Sequence, residues 1–391
     1  MLSIDALPDV TGSEPVVLRG ARLVETEGSA LVLRNGRIEA VIPAAEAPAD
    51  AVDLDGYVVL PGLIDVHAHG GGGYSFDDPD PDAHHEVLRF HARHGVTTMQ
   101  ASLVSAYPED LERQLDALAI TAAGSTQLHG VHLEGPYLAV EQCGAHDPQA
   151  LRTPAADEAE RLLARSGLVR MATVAPELEG VPEFVHRLTQ AGVVVAAGHS
   201  EARGPELASA VDNGLTHLTH LWSCQSALVR RGPWRVPGLI EESLASEQLT
   251  AEIIADGHHL PPALIEIARR CLGERLIAIS DATAGAGMPA GYRYRLGVVE
   301  CEVADGVGKI VGQDAFGGST TPLDGMLRHL HQTLGWPLTE AVAATSTRPA
   351  KLLGLAHRKG RLTPGYDADL TLLDHNLTIQ ATTQSGTWIH Q

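Results

Sequence analysis

The central part of the sequence alternates eight apolar, strand-like segments with segments of helical character. The strand candidates cover residues 63–69, 97–102, 127–134, 169–175, 193–199, 215–221, 249–255 and 275–280. Consecutive parallel strands need a crossover connection, usually a helix, and strands buried on both faces show as continuous apolar runs. Eight such units in succession predict an α/β protein whose core is a (β/α)8 barrel of the TIM type.

The two ends of the chain have a different character, with short apolar segments separated by turns. Asn35-Gly36 lies between two apolar runs and is a strong hairpin signal, and the tail after Gly360 returns to strand character. Strands at both ends need a common partner, so we predict one small β-sandwich domain built from both termini. The predicted division is 1–60 and 359–391 for the sandwich, and 61–358 for the catalytic barrel with a small β insertion near 290–312.

Composition narrows the class of partners and the compartment. The 391-residue chain carries a formal net charge of -21, which argues against nucleic acid or an anionic membrane surface as a partner. No apolar run reaches the length of a membrane span, and residues 1–8 lack the pattern of a signal peptide. The four cysteines show no CxxC spacing, so we expect reduced thiols in a cytoplasmic protein.

Polar side chains stand at the ends of five of the predicted strands, where barrel enzymes carry their chemistry. His67 and His69 leave the first strand on one side, because side chains two residues apart in a strand point the same way. A single strand-end histidine is usually an ordinary hydrogen-bonded group, but six polar residues at like ends predict a metal site. The set is His67, His69, Glu134, His199, His220 and Asp281. Imidazoles with carboxylates favour zinc, iron, manganese, cobalt or nickel over magnesium or calcium.

Several blocks of the sequence resemble the amidohydrolase superfamily, and among its members the N-acetylglucosamine-6-phosphate deacetylases. The blocks include Pro61-Gly-Leu-Ile-Asp-Val-His-Ala-His-Gly, His132-Leu-Glu-Gly-Pro-Tyr, Ala197-Gly-His-Ser, Ile253-Ile-Ala-Asp-Gly-His-His, Ser280-Asp-Ala-Thr and Gly365-Tyr-Asp-Ala-Asp-Leu. The resemblance covers nearly the whole chain. It implies hydrolysis of an acetamide on a phosphorylated amino sugar, with acetate as one product.

The resemblance also implies roles for individual residues. Glu134, His199 and His220 match the ligands of one metal ion. His67 and His69 match the pair that holds a second ion in some members, so we expect one or two divalent transition metal ions, zinc first. Asp281 matches the catalytic aspartate, and substrate-binding histidines match His146 and His259.

Two blocks depart from the family pattern, and one of them is the late Leu-x-Gly-Ser block, which is Phe316-Gly-Gly-Ser-Thr in this chain. Where the family has an Asn-Ala-Met segment that helps hold the sugar phosphate, this chain has Trp222-Ser-Cys-Gln225, so Ser223 and Cys224 are the expected substrate contacts. Arg235 matches an arginine that reaches the phosphate of the neighbouring subunit's substrate, which implies a homodimer. The alternative is that Arg235 belongs to a solvated loop.

Three functions therefore remain open at the level of the sequence. The first is deacetylation of N-acetylglucosamine-6-phosphate, and the second is hydrolysis of another N-acyl amino sugar, unphosphorylated or of a different epimer, or of a cyclic amide. The third is a non-catalytic scaffold on the same fold, which predicts losses among the metal ligands or at Asp281. None of these residues is lost in the sequence.

Overall fold

The computed structural model describes residues 7–24, 29–165 and 167–391. The first six residues, on which part of the expectation about a signal peptide bears, lie outside the described residues. Within these ranges, the helices are α1 (Pro81–Arg93), α2 (Pro108–Gly124), α3 (Ala156–Ala164), α4 (Val181–Gln190), α5 (Gly204–Asp212), α6 (Leu239–Ala245), α7 (Pro262–Leu272), α8 (Leu323–Arg328), α9 (Leu338–Val342) and α10 (Arg348–Leu352). Among these helices, none is both long and apolar enough to cross a lipid bilayer.

The strands of the same ranges fall into several sheets. In chain order they are β1 (Val16–Arg19), β2 (Arg22–Leu23), β3 (Ser29–Arg34), β4 (Arg37–Pro43), β5 (Val52–Asp53), β6 (Val58–Pro61), β7 (Leu63–Asp65), β8 (Gly70–Gly71), β9 (Tyr74–Ser75), β10 (Val96–Leu103), β11 (Leu128–Glu134), β12 (Val169–Val174), β13 (Val194–Ala197), β14 (His217–Leu218), β15 (Val229–Arg231), β16 (Trp234–Val236), β17 (Thr250–Ile254), β18 (Leu276–Ile279), β19 (Arg293–Leu296), β20 (Val299–Ala304), β21 (Val307–Ile310), β22 (Leu370–Leu373), β23 (Ile379–Gln384) and β24 (Thr387–His390).

The chain divides into two compact units. One comprises Met1–Asp65, Leu88–Met99 and Leu323–Gln391, and the other comprises Val66–Val87 and Gln100–Pro322. The first unit contains a β-sandwich made by both chain ends. One sheet has the order β4-β3-β1-β5 and the other β2-β6-β22-β23-β24. Leu31 and Leu33 from the first sheet and Leu370 and Leu372 from the second share one hydrophobic core, so the predicted common partner of the two termini is confirmed.

The second architectural element is a parallel eight-stranded sheet with the order β7-β10-β11-β12-β13-β14-β17-β18. All eight predicted strands are present in it, so the predicted (β/α)8 barrel is confirmed. Hydrogen bonds close the barrel beyond the first and last strands. The amide of Asp281 donates to the carbonyl oxygen of His67 over 2.9 Å, and the amide of His69 donates to that of Ala282 over 2.7 Å. These bonds hold the His67–His69 segment directly beside the end of β18.

Near the ends of these two strands, the chain packs so closely at two positions that only glycine fits without a shift. A Cβ on Gly70 would lie 2.3 Å from the carbonyl oxygen of Tyr74, so no larger residue fits there without a shift. Gly318 has a φ of +70°, and a Cβ there would lie 2.5 Å from Cγ2 of Thr283. Both glycines stand where the chain packs tightly around the carboxyl ends of the first and last barrel strands.

The second unit carries a small antiparallel sheet and further elements that the sequence analysis did not anticipate. Strands β19, β20 and β21 form the antiparallel sheet that follows the barrel strands. The unanticipated elements include the strand pair of β8 and β9, helix α6, and the exposed hairpin of β15 and β16. Arg230 pairs with Arg235 across this hairpin.

Candidate active site

The candidate site lies just beyond the carboxyl ends of the barrel strands. Glu134 is the last residue of β11, whereas His199, His220 and Asp281 each follow the end of their strand by two residues. His67 follows the end of β7 by the same interval. This repeated position brings the side chains together because neighbouring parallel strands end at the same edge of the barrel.

Five imidazole rings converge on one carboxylate. The Oε1 atom of Glu134 lies 2.8 Å from Nε2 of His220 and 3.0 Å from Nε2 of His199. Its Oε2 atom lies 3.2 Å from Nε2 of His69, 3.4 Å from Nε2 of His146 and 3.7 Å from Nε2 of His67. The five histidines around Glu134 are therefore His67, His69, His146, His199 and His220. All of these side chains are buried. A carboxylate and several imidazole nitrogens directed at one point form a donor set that is suited to cations.

Three of these histidines have their ring orientation fixed by a hydrogen bond at Nδ1, on the side of the ring that faces away from Glu134. Nδ1 of His67 lies 3.1 Å from Oε2 of Glu252, and Nδ1 of His69 lies 3.1 Å from the carbonyl oxygen of Ser102. Nδ1 of His199 lies 2.8 Å from the carbonyl oxygen of Gln142. Because each of these oxygens accepts a hydrogen bond from Nδ1, Nε2 of each of the three rings faces the site and is the nitrogen available to a metal ion.

His146 has the opposite arrangement. The backbone N–H of Ser105 donates to Nδ1 of His146 over 3.1 Å, so this nitrogen is an acceptor. Burial lowers the pKa of His146 to about 4, the opposing effect of Glu134 being smaller, and the ring is therefore neutral near pH 7. A neutral ring that accepts at Nδ1 carries its proton on Nε2. The structure thus gives His146 a hydrogen-bond donor facing the site, and not a metal-binding lone pair.

Asp281 faces the paired histidines of the first strand. Its Oδ1 atom lies 3.4 Å from Nε2 of both His67 and His69. Burial alone would raise the pKa of Asp281, but the hydrogen bond from His69 and the charge of His67 lower it below its usual value. The side chain is therefore a carboxylate over the physiological pH range.

The donor set fits divalent transition metals. Nε2 of His67 lies 3.2 Å from Nε2 of His69, and the same distance separates the Nε2 atoms of His199 and His220. Facing nitrogens repel each other unless a proton or a metal ion lies between them. Against the opposing effect of burial, Asp281 and Glu134 raise the pKa of His69 to about 9. The site therefore favours positive charge at this point.

Groups with ligand atoms within 4.8 Å of one another identify where such ions fit. Three of these occur among the described residues: His67 with Glu134 and His220, His67 with His69 and Asp281, and Glu134 with His146 and His199. The first two groups share His67, so the two positions are adjacent. The third includes His146, whose Nδ1 acceptor role argues against it as a ligand.

A cavity of about 270 Å³ opens over this cluster. Of the predicted substrate contacts, His146, Ser223, Cys224 and His259 line it, whereas Arg235 does not. Arg235 instead lies exposed on the hairpin of β15 and β16, where its Nη1 atom donates to the carbonyl oxygen of Pro233 over 3.0 Å. A larger cleft of about 550 Å³ elsewhere in the same unit is lined by none of the predicted site residues.

The backbone around the cavity adopts conformations that non-glycine residues rarely take. His199, Trp222, Cys224 and Asp281 have φ values of +48°, +69°, +54° and +48°. Such conformations cost roughly 1–3 kcal/mol each and concentrate at functional sites, where the surrounding structure enforces them. Here His199, Asp281 and Cys224 are predicted metal, catalytic and substrate positions, and Trp222 lines the same cavity.

Sequence analysis missed two residues that shape this site. Glu252 of β17 is fully buried beside His67, and a charged residue inside an otherwise apolar strand was the available signal. Phe316 lines the cavity, and the centroid of its ring lies 4.8 Å from the centroid of the His259 ring. Phe316 was visible only as a departure from the Leu-x-Gly-Ser block of the resembling family.

Comparison with known proteins agrees with the class of fold and site. The model of the Amidohydrolase family matches residues 58–389. The chain therefore belongs to the amidohydrolase family.

Curated relatives and solved structures narrow the resemblance. The N-acetylglucosamine-6-phosphate deacetylase of Bos taurus is 35% identical over 388 residues, which cover 96% of this chain and 94% of that protein. The N-acetylgalactosamine-6-phosphate deacetylase of Escherichia coli O157:H7 is 32% identical over 372 residues, covering 93% and 96%. A mutant N-acetyl-D-glucosamine-6-phosphate deacetylase from Mycobacterium smegmatis, solved in complex with N-acetyl-D-glucosamine-6-phosphate, has a TM-score of 0.89 and 35% identity, covering 97% of this chain and 100% of that chain.

Proposed function

We propose that the chain is a metal-dependent deacetylase of N-acetylated amino-sugar 6-phosphates, with N-acetylglucosamine-6-phosphate as the first candidate substrate. The convergence of five imidazoles on Glu134, with Asp281 beside them, carries this proposal. The names of the similar proteins support the substrate class. One of them acts on the galactosamine epimer, so the epimer is a question for the assay. The products are acetate and the amino-sugar phosphate.

The metal ions would be held by the five residues that the sequence analysis selected. In the proposal, Glu134, His199 and His220 hold one divalent ion, and His67 with His69 holds a second. Zinc is the first candidate, with iron, manganese, cobalt and nickel as others that suit imidazole and carboxylate ligands. A divalent ion in such a site supplies Lewis acidity, which activates water and stabilises negative charge on an amide carbonyl.

Asp281 would move the proton of the reaction. Its low pKa keeps it ionised, so it can accept a proton from the attacking water molecule. The protonated side chain would then deliver this proton to the nitrogen of the leaving amine, which restores the carboxylate. Its exposed edge lines the cavity, where a substrate amide has access to it.

His146 and His259 would orient the substrate. The Nε2–H of His146 is available to donate to an oxygen of the sugar or of the acetamide. His259 lines the same cavity, and its Nδ1 lies 2.7 Å from Oδ2 of Asp256, which fixes the ring. Leu296 and Phe316 give this cavity an apolar side suited to the methyl group of an acetamide. Its volume is close to the lower end of the usual range for ligand pockets, roughly 300–1,000 Å³, which fits one monosaccharide.

The phosphate contact is proposed to come from a second subunit. Arg235 is exposed on a hairpin that also exposes Trp234, at 74% of its surface, and Val229. Apolar surface of this kind is typical of interfaces, and guanidinium groups suit phosphate because they donate in a planar fork. The proposed assembly is therefore a homodimer in which Arg235 binds the phosphate of the substrate in the neighbouring subunit.

Two further parts of the proposal concern organisation and compartment. The division into a sandwich at 1–60 and 359–391 and a catalytic barrel at 61–358 is retained as the functional division of the chain. All four cysteines are free thiols, which supports a reducing, cytoplasmic location.

A substrate panel tests the proposal. Protein reconstituted with zinc is assayed for acetate release from N-acetylglucosamine-6-phosphate, N-acetylgalactosamine-6-phosphate and N-acetylglucosamine, with chelated protein as the control. We expect release from at least one phosphorylated sugar at a catalytic efficiency well above that for N-acetylglucosamine. Equal efficiency with and without the phosphate would overturn the phosphate assignment, and no acetate from any sugar would overturn the deacetylase assignment.

A further inference from the structure

Glu252 is a carboxylate enclosed within the barrel. It lies on β17 and has 0% of its surface exposed. Its Oε2 atom lies 3.1 Å from Nδ1 of His67 and accepts a hydrogen bond from the backbone N–H of His220 over 3.2 Å. Its Oε1 atom lies 3.0 Å from Nε2 of His217. A buried carboxylate is costly unless every oxygen has a partner, and here both oxygens do.

The carboxylate is itself held in place. Nδ1 of His217 lies 2.7 Å from the hydroxyl oxygen of Thr250, two residues before Glu252 on the same strand. His217 is therefore fixed at both ring nitrogens and cannot swing away from Glu252. The chain Thr250–His217–Glu252–His67 starts at the half-buried Thr250, continues through three buried side chains and ends at the candidate metal site.

The contact with Glu252 decides what His67 presents to that site. With the Nδ1 proton directed to the carboxylate, Nε2 faces Nε2 of His69 and Oδ1 of Asp281, at 3.2 and 3.4 Å. A carboxylate behind a metal-binding imidazole fixes its tautomer and orientation and increases the basicity of the ligand nitrogen. The same carboxylate contacts the backbone of His220, so it joins the two histidine sets.

We propose that Glu252 is a positioning residue for the second metal ion, acting through His67. The inference rests on the two-ion site of the proposed function. In its absence the His67 ring can turn or change tautomer, and Nε2 no longer meets His69 at a fixed distance. The effect falls mainly on the second equivalent of metal, because Glu252 contacts a ring nitrogen of His67 but only the backbone N–H of His220.

The alternative is that Glu252 serves only the stability of the barrel. Removal of a buried carboxylate then lowers thermal stability without a selective change in metal binding. Glu158 provides the matched control, since it is a carboxylate with 5% exposure in the same unit. Glu158 is paired with Arg152, whose Nε donates to Oε2 of Glu158 over 3.0 Å, and this ion pair includes no candidate metal ligand.

The test compares wild type with Glu252→Gln, Glu252→Ala and Glu158→Gln. Each protein is stripped of metal, and the dissociation constants of the first and second zinc equivalents are measured by competition with a chromophoric chelator. The visible spectrum on stepwise addition of cobalt reports the geometry of each site, and thermal unfolding without metal reports stability. None of these readouts needs a substrate, so failure of the deacetylase assay does not affect them.

We expect Glu252→Ala to weaken the second equivalent roughly 10- to 100-fold, the usual effect of losing such a partner, and to leave the first nearly unchanged. Glu252→Gln should weaken it less, since an amide oxygen still accepts from His67, and Glu158→Gln should leave both equivalents unchanged. If Glu252→Ala does not fold, Glu252→Gln alone decides the matter. Wild-type affinity for the second equivalent in Glu252→Gln, equal loss of both equivalents, or the absence of a second equivalent in wild type would overturn the inference.

Discussion

The Nε2 atoms of His67 and His69 face each other across 3.2 Å at the end of the first barrel strand. Both atoms also lie 3.4 Å from the same oxygen of Asp281. The two histidines that follow the first strand and the aspartate that follows the last strand thus place three donor atoms around one point. The proximity of these groups leads directly to predictions about metal content and catalysis.

The paired histidines should account for one of two metal equivalents. Replacing both in His67→Ala/His69→Ala should lower zinc content from about two equivalents to about one, because the ligands on the other strands remain. Elemental analysis after dialysis measures this. The double variant His357→Ala/His375→Ala, which removes two exposed histidines, controls for adventitious binding. Equal zinc content in wild type and His67→Ala/His69→Ala would show that the pair has a structural role.

Asp281→Asn should separate catalysis from metal binding. The amide cannot accept and return a proton, and general acid–base catalysis contributes roughly 100- to 10,000-fold. We expect a loss of turnover in that range with metal content close to that of wild type. Steady-state acetate release and elemental analysis on the same preparation measure both quantities. Retained turnover would remove Asp281 from the proposed mechanism.

Arg235→Ala should reduce discrimination in favour of phosphorylated substrate. Truncating one partner of a buried charge pair costs roughly 2–5 kcal/mol, so we expect a loss of about 30-fold or more in catalytic efficiency for N-acetylglucosamine-6-phosphate. Activity toward N-acetylglucosamine should hardly change. Arg230→Ala, on the facing strand of the same hairpin, is the matched control.

Sedimentation analysis of the Arg235 variant completes that comparison. A dimeric wild type is expected, since Arg235 does not line the cavity of its own chain. A strictly monomeric enzyme that still prefers the phosphorylated sugar would contradict the role of Arg235. An equal effect of Arg230→Ala would assign the loss to the general charge of the hairpin.

The ion pair between Asp256 and His259 should make the stability of the folded protein depend on pH. Although burial opposes charge on each side chain, their hydrogen bond raises the pKa of His259 above 6.5 and lowers that of Asp256 below 3.8. The raised histidine pKa contributes stability below pH 6.5 that is lost as pH rises through the folded value. The lowered aspartate pKa contributes stability above pH 3.8 that is lost as pH falls through its folded value. The pair is therefore worth most between about pH 4 and 6.5.

Asp256→Asn tests this window with little change in shape. Its amide oxygen can still accept from the backbone N–H groups of His258 and His259, which contact Oδ1 of Asp256 at 2.8 and 2.9 Å. We expect a loss of about 1.5–3 kcal/mol in the free energy of unfolding near pH 5, the range for hydrogen bonds to charged groups, and a smaller loss at pH 9. Urea unfolding of metal-free protein at both pH values measures the difference, and an equal loss at both would refute the assigned window.

Much of the architecture could be predicted because it depends on local pattern. Apolar runs alternating with helical segments indicated all eight barrel strands, and the residues selected at the strand ends do lie together around Glu134. Asn35-Gly36 marked the turn between β3 and β4. The exposed hairpin of β15 and β16 was not anticipated, since its strands are short, polar and without periodicity.

The sequence by itself determined which side chains stand at the mouth of the barrel, because the period of two along a strand and the common direction of parallel strands are local properties. Only the tertiary structure decided what each side chain does there. Ser105 precedes His146 by 41 positions, and its hydrogen bond to Nδ1 leaves the proton of His146 on Nε2. Glu252 follows His67 by 185 positions, and its contact with Nδ1 directs Nε2 of His67 toward the site. These contacts depend on how loops and strands meet across the barrel, which a linear pattern does not encode.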